Sequence, residues 1–207
     1  MEQEELIEKN PMKRVEPVKK PNEVKKAFST QEMEAIRSSC ENTRERALIE
    51  LLYSTGVRVS ELCSINIGDI DSAKKEFIIT GKGNKQRVVY ISDAAYYHLH
   101  RYLVERCSEQ QCTTYAIKDE PLFMGKKSKS RITQSGVQFI LHDIGKRANV
   151  EDVHPHRFRR TFATDLLNRG MKIEEVMILM GHAKLDTTMV YYDLSQAAIG
   201  SSYHRCA

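Results

Sequence analysis

The sequence predicts a mainly α-helical fold with one small antiparallel β-sheet, an α+β class. Two observations carry this. Apolar residues recur at helical spacing in several stretches bounded by capping residues and glycines. One stretch, residues 76–91, changes instead to β-branched runs on either side of a glycine-containing turn. With 207 residues, 41% apolar and 29% charged, the chain is expected to be soluble and globular, large enough for one core plus an extension.

Taken in order, residues 1–26 carry Pro11, Pro17 and Pro21 and switch from acidic to basic, so they read as a linker. The compact domain starts near Phe28. Ser29 with Glu32 fits a capping box ahead of a helix over 30–39. Ala47, Leu48, Leu51 and Leu52 are the apolar stripe of a second helix, 44–54, closed by Gly56, and a short helix over 59–64 follows. Residues 76–80 and 87–91 flank Gly81-Lys82-Gly83-Asn84-Lys85-Gln86 and form a hairpin. Ser92 or Asp93 caps a long helix to Cys107; 108–121 is a polar loop and 122–124 a candidate short strand. Thr133 caps a helix to Arg147, and Pro155 opens one that ends at 168–170. A helix over 173–180 is stopped by Gly181; 186–193 is a last short helix, and the tail from Ser195 is small and polar.

The polar N-terminus is no signal peptide, and the apolar runs are far short of the ~20 residues a membrane span needs, so the cytoplasm is expected. The five cysteines lack CxxC spacing and read as reduced thiols. A net charge of +4 is too small to name a partner, but its distribution is more telling. Residues 13–26 hold six Lys/Arg against two Glu, 126–131 four against none, and 154–172 five against Asp165. Each run alone is a solvated face; together they favour a polyanion.

Four local patterns converge on that partner. In Thr55-Gly56-Val57-Arg58-Val59-Ser60-Glu61-Leu62, Arg58 opens a helix after a glycine turn, where its guanidinium can fork two phosphate oxygens, and Glu61 lies one turn on to orient it. Lys82, between two glycines on a hairpin tip, can deliver a proton or a point charge into a groove. In His154-Pro155-His156-Arg157-Phe158-Arg159-Arg160-Thr161, His156 and Arg159 share a helix face, while Phe158 and Phe162 share another that should point into the core. His154 and His156 lack a third ligand for a metal, and Arg159 would repel one. In Leu179-Met180-Gly181-His182, followed by Tyr191 and Tyr192, a histidine follows a helix-ending glycine and only one tyrosine can face a given site. Singly, these patterns also describe a solvated arginine, a solvated turn, a core histidine and a packed tyrosine.

In this order and spacing, over residues 28–195, the patterns resemble the catalytic domain of the tyrosine recombinases, or phage integrases. The resemblance implies Arg58, Lys82, His156, Arg159, His182 and Tyr191 as catalytic residues, with Glu61 in support and Tyr191 rather than Tyr192 as nucleophile. Arg160 stands where the family often has His, and Tyr192-Asp193 where it often has Thr-His. Lys85, Arg87, Lys126, Lys127, Lys129, Arg131, Arg157 and Arg160 are expected to contact double-stranded DNA. The family needs neither metal nor cofactor and assembles as dimers or tetramers on DNA. Its larger members carry an N-terminal clamp, so residues 1–27 are expected to be a remnant of it plus linker, and the chain a catalytic domain separated from its clamp or a natural minimal form. Residues 196–207 would be a tail.

The implied reaction suits these residues. An attacked phosphodiester gathers negative charge that arginines can stabilise without Mg²⁺. A tyrosine of ordinary pKa ~10 needs a proton acceptor, His156, or a cationic field. Lys82 protonates the leaving 5′ oxygen and His182 hydrogen-bonds a phosphate oxygen. Rival readings are a type IB topoisomerase, a DNA-binding regulator without catalysis, and a helical domain with no DNA role.

Overall fold

A computed structural model describes residues 26–80, 86–114, 116–125 and 130–181. Residues 1–25 of the linker, the tail, the helix expected at 186–193, and Lys82, Lys85, Lys126, Lys127, Lys129, His182 and Tyr191 lie outside the described residues.

Helices begin where a side chain can take up a free amide. At α1 (Thr30–Ser38), Ser29 Oγ accepts the Glu32 N–H and the Glu32 carboxylate accepts the Ser29 N–H at 2.7 Å, a reciprocal capping box. Asn42 accepts the Glu45 N–H at α2 (Thr43–Thr55), which ends at left-handed Gly56. α3 (Val59–Ser64) follows at once. A 3₁₀ turn, Ile67–Asp69, leads into β1 (Ile70–Asp71), which pairs with β2 (Glu76–Thr80); β2 pairs in turn with β3 (Gln86–Tyr90), both antiparallel. Phe77 faces Val89 and Ile79 faces Arg87. Ser92 caps α4 (Asp93–Gln110) and Thr133 caps α5 (Gln134–Ala148). Pro155 opens α6 (Pro155–Asn168), behind His154 as N-cap. α7 (Ile173–Met180) ends at left-handed Gly181.

α2 is the central helix, packed on α4, on α6 and against β3, with Leu48, Ile49, Leu51 and Leu52 all but wholly buried. α1 and α3 lie on α5. Phe158 of α6 is fully buried and meets Phe28 edge-to-face, ring centres 4.9 Å apart. One face of the sheet turns Phe77, Ile79 and Val89 into the core, and the other exposes Ile78, Val88 and Tyr90. A smaller cluster of Ala163, Leu167, Val176 and Met180 joins α6 to α7, and α7 also touches β3. Through these contacts the ends of α2, α7 and β3 meet.

The elements depart from expectation in few places. α4 runs one turn further, to Gln110, taking up the start of the expected loop. β1 was not expected. Residues 122–124 make no strand: only isolated bridges, Asn66 with Pro121 and Met124 with Arg131, form there. Phe162 is half-buried, against the smaller cluster rather than in the main core. Cys40, Cys63, Cys107 and Cys112 are free. Among the described residues, no helix is long and apolar enough to cross a membrane.

Candidate active site

The site is built on a sharp turn. Gly56 adopts φ +58°, and a Cβ there would stand 2.4 Å from Phe162 Cδ1, so both the backbone conformation and the space require glycine. The turn delivers Arg58 to the N-cap of α3. One turn on, Glu61 reaches back: its Oε2 accepts the Arg58 N–H at 2.8 Å and its Oε1 accepts Arg58 Nη1 at 3.0 Å. Arg87 of β3 approaches the same carboxylate from the other side, with Nη1 to Oε1 at 2.9 Å and Nη2 to Oε2 at 2.8 Å. Its Nε donates to Leu179 O at 2.9 Å. This is the fork-on-fork geometry that makes arginine–carboxylate pairs strong and directional.

Arg159 enters from α6, with only 5% of its surface exposed. It donates Nη1 to Gly56 O at 2.7 Å and Nη2 to Met180 O. Arg58 donates Nη2 to the next carbonyl, Gly181 O, at 3.4 Å. Two arginines 101 positions apart in sequence are thus brought to consecutive carbonyls at the end of α7, one residue before His182. The helix C-terminus supplies the negative end of a dipole that favours cations there.

Two guanidiniums around one carboxylate leave positive charge in excess. Burial by itself would raise the Glu61 carboxyl pKa, but the hydrogen bonds from Arg87 and from Arg58 outweigh it and hold it at about 2. Glu61 is therefore a permanent anion at neutral pH. Arg58 keeps 38% of its side chain exposed, whereas Glu61 and Arg87 keep 8% each, so Arg58 is the one of the three that a ligand can reach.

His156, one turn before Arg159, is exposed. It lines an open groove of about 790 Å³ with Val59, Gln138, His142 and His154. The His154 and His156 rings are 6.3 Å apart, and among the described residues no group of three His, Cys, Asp or Glu could hold a metal ion.

Three residues expected on a DNA-contacting surface are engaged inside the domain. Arg87 is taken up by Glu61 and Leu179. Arg131 donates to Cys63 O, Ile65 O and Asn66 Oδ1, tying the start of α5 to the end of α3. Arg157 pairs with Glu32 at 2.6 Å and stacks 4.1 Å from the Phe28 ring centre. Arg160 is half-buried and donates to Lys26 O at 3.3 Å. The inward place of Arg87 was missed because a basic hairpin reads as solvated. Strand alternation held the signal, since Arg87 shares its face with Val89 and Ile91.

Fold and site together define a family: the chain belongs to the phage integrase family, whose model matches residues 20–198. Among its relatives is tyrosine recombinase XerC of Staphylococcus epidermidis, 36% identical over 200 residues, an overlap of 94% of this chain and 66% of the relative. Among solved structures, the crystal structure of XerA recombinase superposes with a TM-score of 0.75 at 30% identity, covering 92% of this chain and 66% of that one. XerH site-specific recombinase, bound to palindromic difH substrate in a post-cleavage complex, gives 0.71 at 26% identity, over 88% of this chain and 53% of that one. This chain thus spans just under two thirds of the length of the XerC relative.

Proposed function

We propose that the chain cleaves and rejoins DNA strands at specific sites, with Tyr191 as nucleophile and without metal or cofactor. The observation that carries this reading is the convergence of Arg58 and Arg159 on Met180 and Gly181, next to His182. A phosphodiester held there would meet the accessible Arg58 at its non-bridging oxygens, where charge grows in the transition state, with the buried positive charge of Arg159 behind it.

In this reading the Tyr191 hydroxyl attacks phosphorus and His156 takes up its proton. Lys82 protonates the departing 5′ oxygen, and His182 hydrogen-bonds a non-bridging oxygen. The new 3′-phosphotyrosine bond conserves the energy of the broken one, and a 5′ hydroxyl from a second strand reverses the step. Lys85, Lys126, Lys127, Lys129 and Arg160 contact phosphates. Arg87, Arg131 and Arg157 leave that list, because their donors are engaged internally. The palindromic substrate of the XerH complex presents two identical half-sites, which supports action by two or four copies related by symmetry. Residues 1–27 are read as linker and the edge of a clamp, and the cytoplasm as the place of action. The membership of the family and the XerC and XerA likenesses favour this over topoisomerase-like relaxation.

Substitution tests it. Arg58→Ala and Arg159→Ala are expected to slow DNA cleavage by roughly 10²–10³-fold each, as loss of a preorganised donor does. DNA affinity, measured by anisotropy, should change far less. Equal losses of binding and cleavage would make both arginines ordinary phosphate clamps.

A further inference from the structure

We propose that Arg87 is a positioning residue for strand transfer: through Glu61 it fixes Arg58, and through Leu179 it fixes the turn that leads into His182. For its catalytic consequence this inference rests on the function proposed above. The geometry is reciprocal. Each Glu61 oxygen receives one hydrogen bond from Arg87 and one from Arg58, so the carboxylate plane is set by Arg87 and the Arg58 side chain is set by that plane. The third bond, from Nε to Leu179 O, fastens the guanidinium to the end of α7. There it also packs against Gly181: a Cβ on that residue, which has φ +62°, would lie 3.1 Å from Arg87 Nη1.

Arg87 thus connects residues 58–61, β3 and residues 179–181, three segments distant in sequence, each leading to a proposed catalytic group. Lys82 lies five residues before it in the sequence. With 8% of its side chain exposed, Arg87 is poorly placed to touch DNA. Only a planar fork makes two parallel bonds to a carboxylate and a third at an angle, so lysine cannot replace it. A shift of about 1 Å in a group that holds the reacting phosphate can cost about 10²-fold in rate.

The experiment compares the full chain with Arg87→Lys and Arg87→Gln in two ways. Single-turnover formation of the covalent adduct is measured on nicked duplexes from the chain's own genomic neighbourhood, alongside affinity for the same duplexes. Backbone amide spectra locate the disturbance without relying on activity. The proposal expects adduct formation to fall about 10²-fold in both variants with affinity retained. It also expects amide shifts reaching residues 58–61 and 179–181. Affinity and rate falling together would make Arg87 a DNA contact and overturn the proposal. Shifts confined to β3, with the rate unchanged, would overturn it as well. If the unsubstituted chain forms no adduct on any duplex, the strand-transfer reading fails by itself. The spectra then still judge the coupling: shifts at both distant segments sustain it, and shifts confined to β3 overturn it.

Discussion

Gly56→Ala is the substitution whose effect can be worked most fully from the structure. Two costs add. Gly56 has φ +58°, and an L-residue held in the left-handed region costs roughly 1–2 kcal/mol. The new methyl would also lie 2.4 Å from Phe162 Cδ1 and 2.8 Å from Cγ, so the ring of a half-buried side chain must swing away from the turn. Overpacking of this kind costs roughly 1–3 kcal/mol. The expected loss is therefore about 2–5 kcal/mol, read as a fall of about 1–2 M in the urea midpoint. The same movement displaces Gly56 O, which accepts Arg159 Nη1 at 2.7 Å, so cleavage should fall in the fraction that remains folded. Urea unfolding followed by circular dichroism, with cleavage measured well below the transition, checks both. A midpoint within 0.2 M of the parent, at full cleavage, would refute the argument that this turn must be glycine and that it seats Arg159.

Two further predictions follow from the charge network. The Glu61 carboxyl sits at about 2 when folded, against an unfolded value of about 4.3, so its stabilisation is complete above that value and is lost as pH falls toward 2. Melting temperatures between pH 7 and pH 3 should therefore fall more steeply for the parent chain than for Glu61→Gln; parallel curves would contradict this. Arg157→Ala should destabilise the fold by about 1–3 kcal/mol, through loss of Glu32 and of the Phe28 ring. The salt dependence of its DNA affinity should be unchanged, whereas a log–log slope reduced by about one would mean that Arg157 binds a phosphate.

Much of the fold was legible because helix ends are written locally. The reciprocal pair Ser29 and Glu32, the cap Thr133, Pro155 at a helix start, and Gly56 and Gly181 at helix ends each act within four residues, so sequence spacing alone exposes them. β1 escaped because two residues cannot display a period of two, and it forms only because β2 is there to pair with it. α4 passed Cys107 because nothing in Ser108-Glu109-Gln110 stops a helix before Gln111 turns left-handed. The pairing of Arg58 with Glu61 was visible as a spacing of three. The rest of the site was not. Arg87, Glu61 and Leu179 meet only through tertiary packing of β3 against α7; alternation along β3 puts Arg87 on the inward face with Val89 and Ile91 but does not say what it meets there. The internal partners of Arg131 and Arg157 were equally hidden, since charge in a sequence does not say whether a guanidinium meets water, a carbonyl or a phosphate.

The central claim, covalent strand transfer by Tyr191, is tested most directly by trapping. The chain is mixed with nicked duplexes drawn from its genomic neighbourhood, and products are separated in SDS, with Tyr191→Phe and Tyr192→Phe run beside the parent. The account predicts an SDS-resistant protein–DNA adduct from the parent and from Tyr192→Phe, and none from Tyr191→Phe, which should still bind the DNA. An adduct that survives in Tyr191→Phe and disappears in Tyr192→Phe would contradict it.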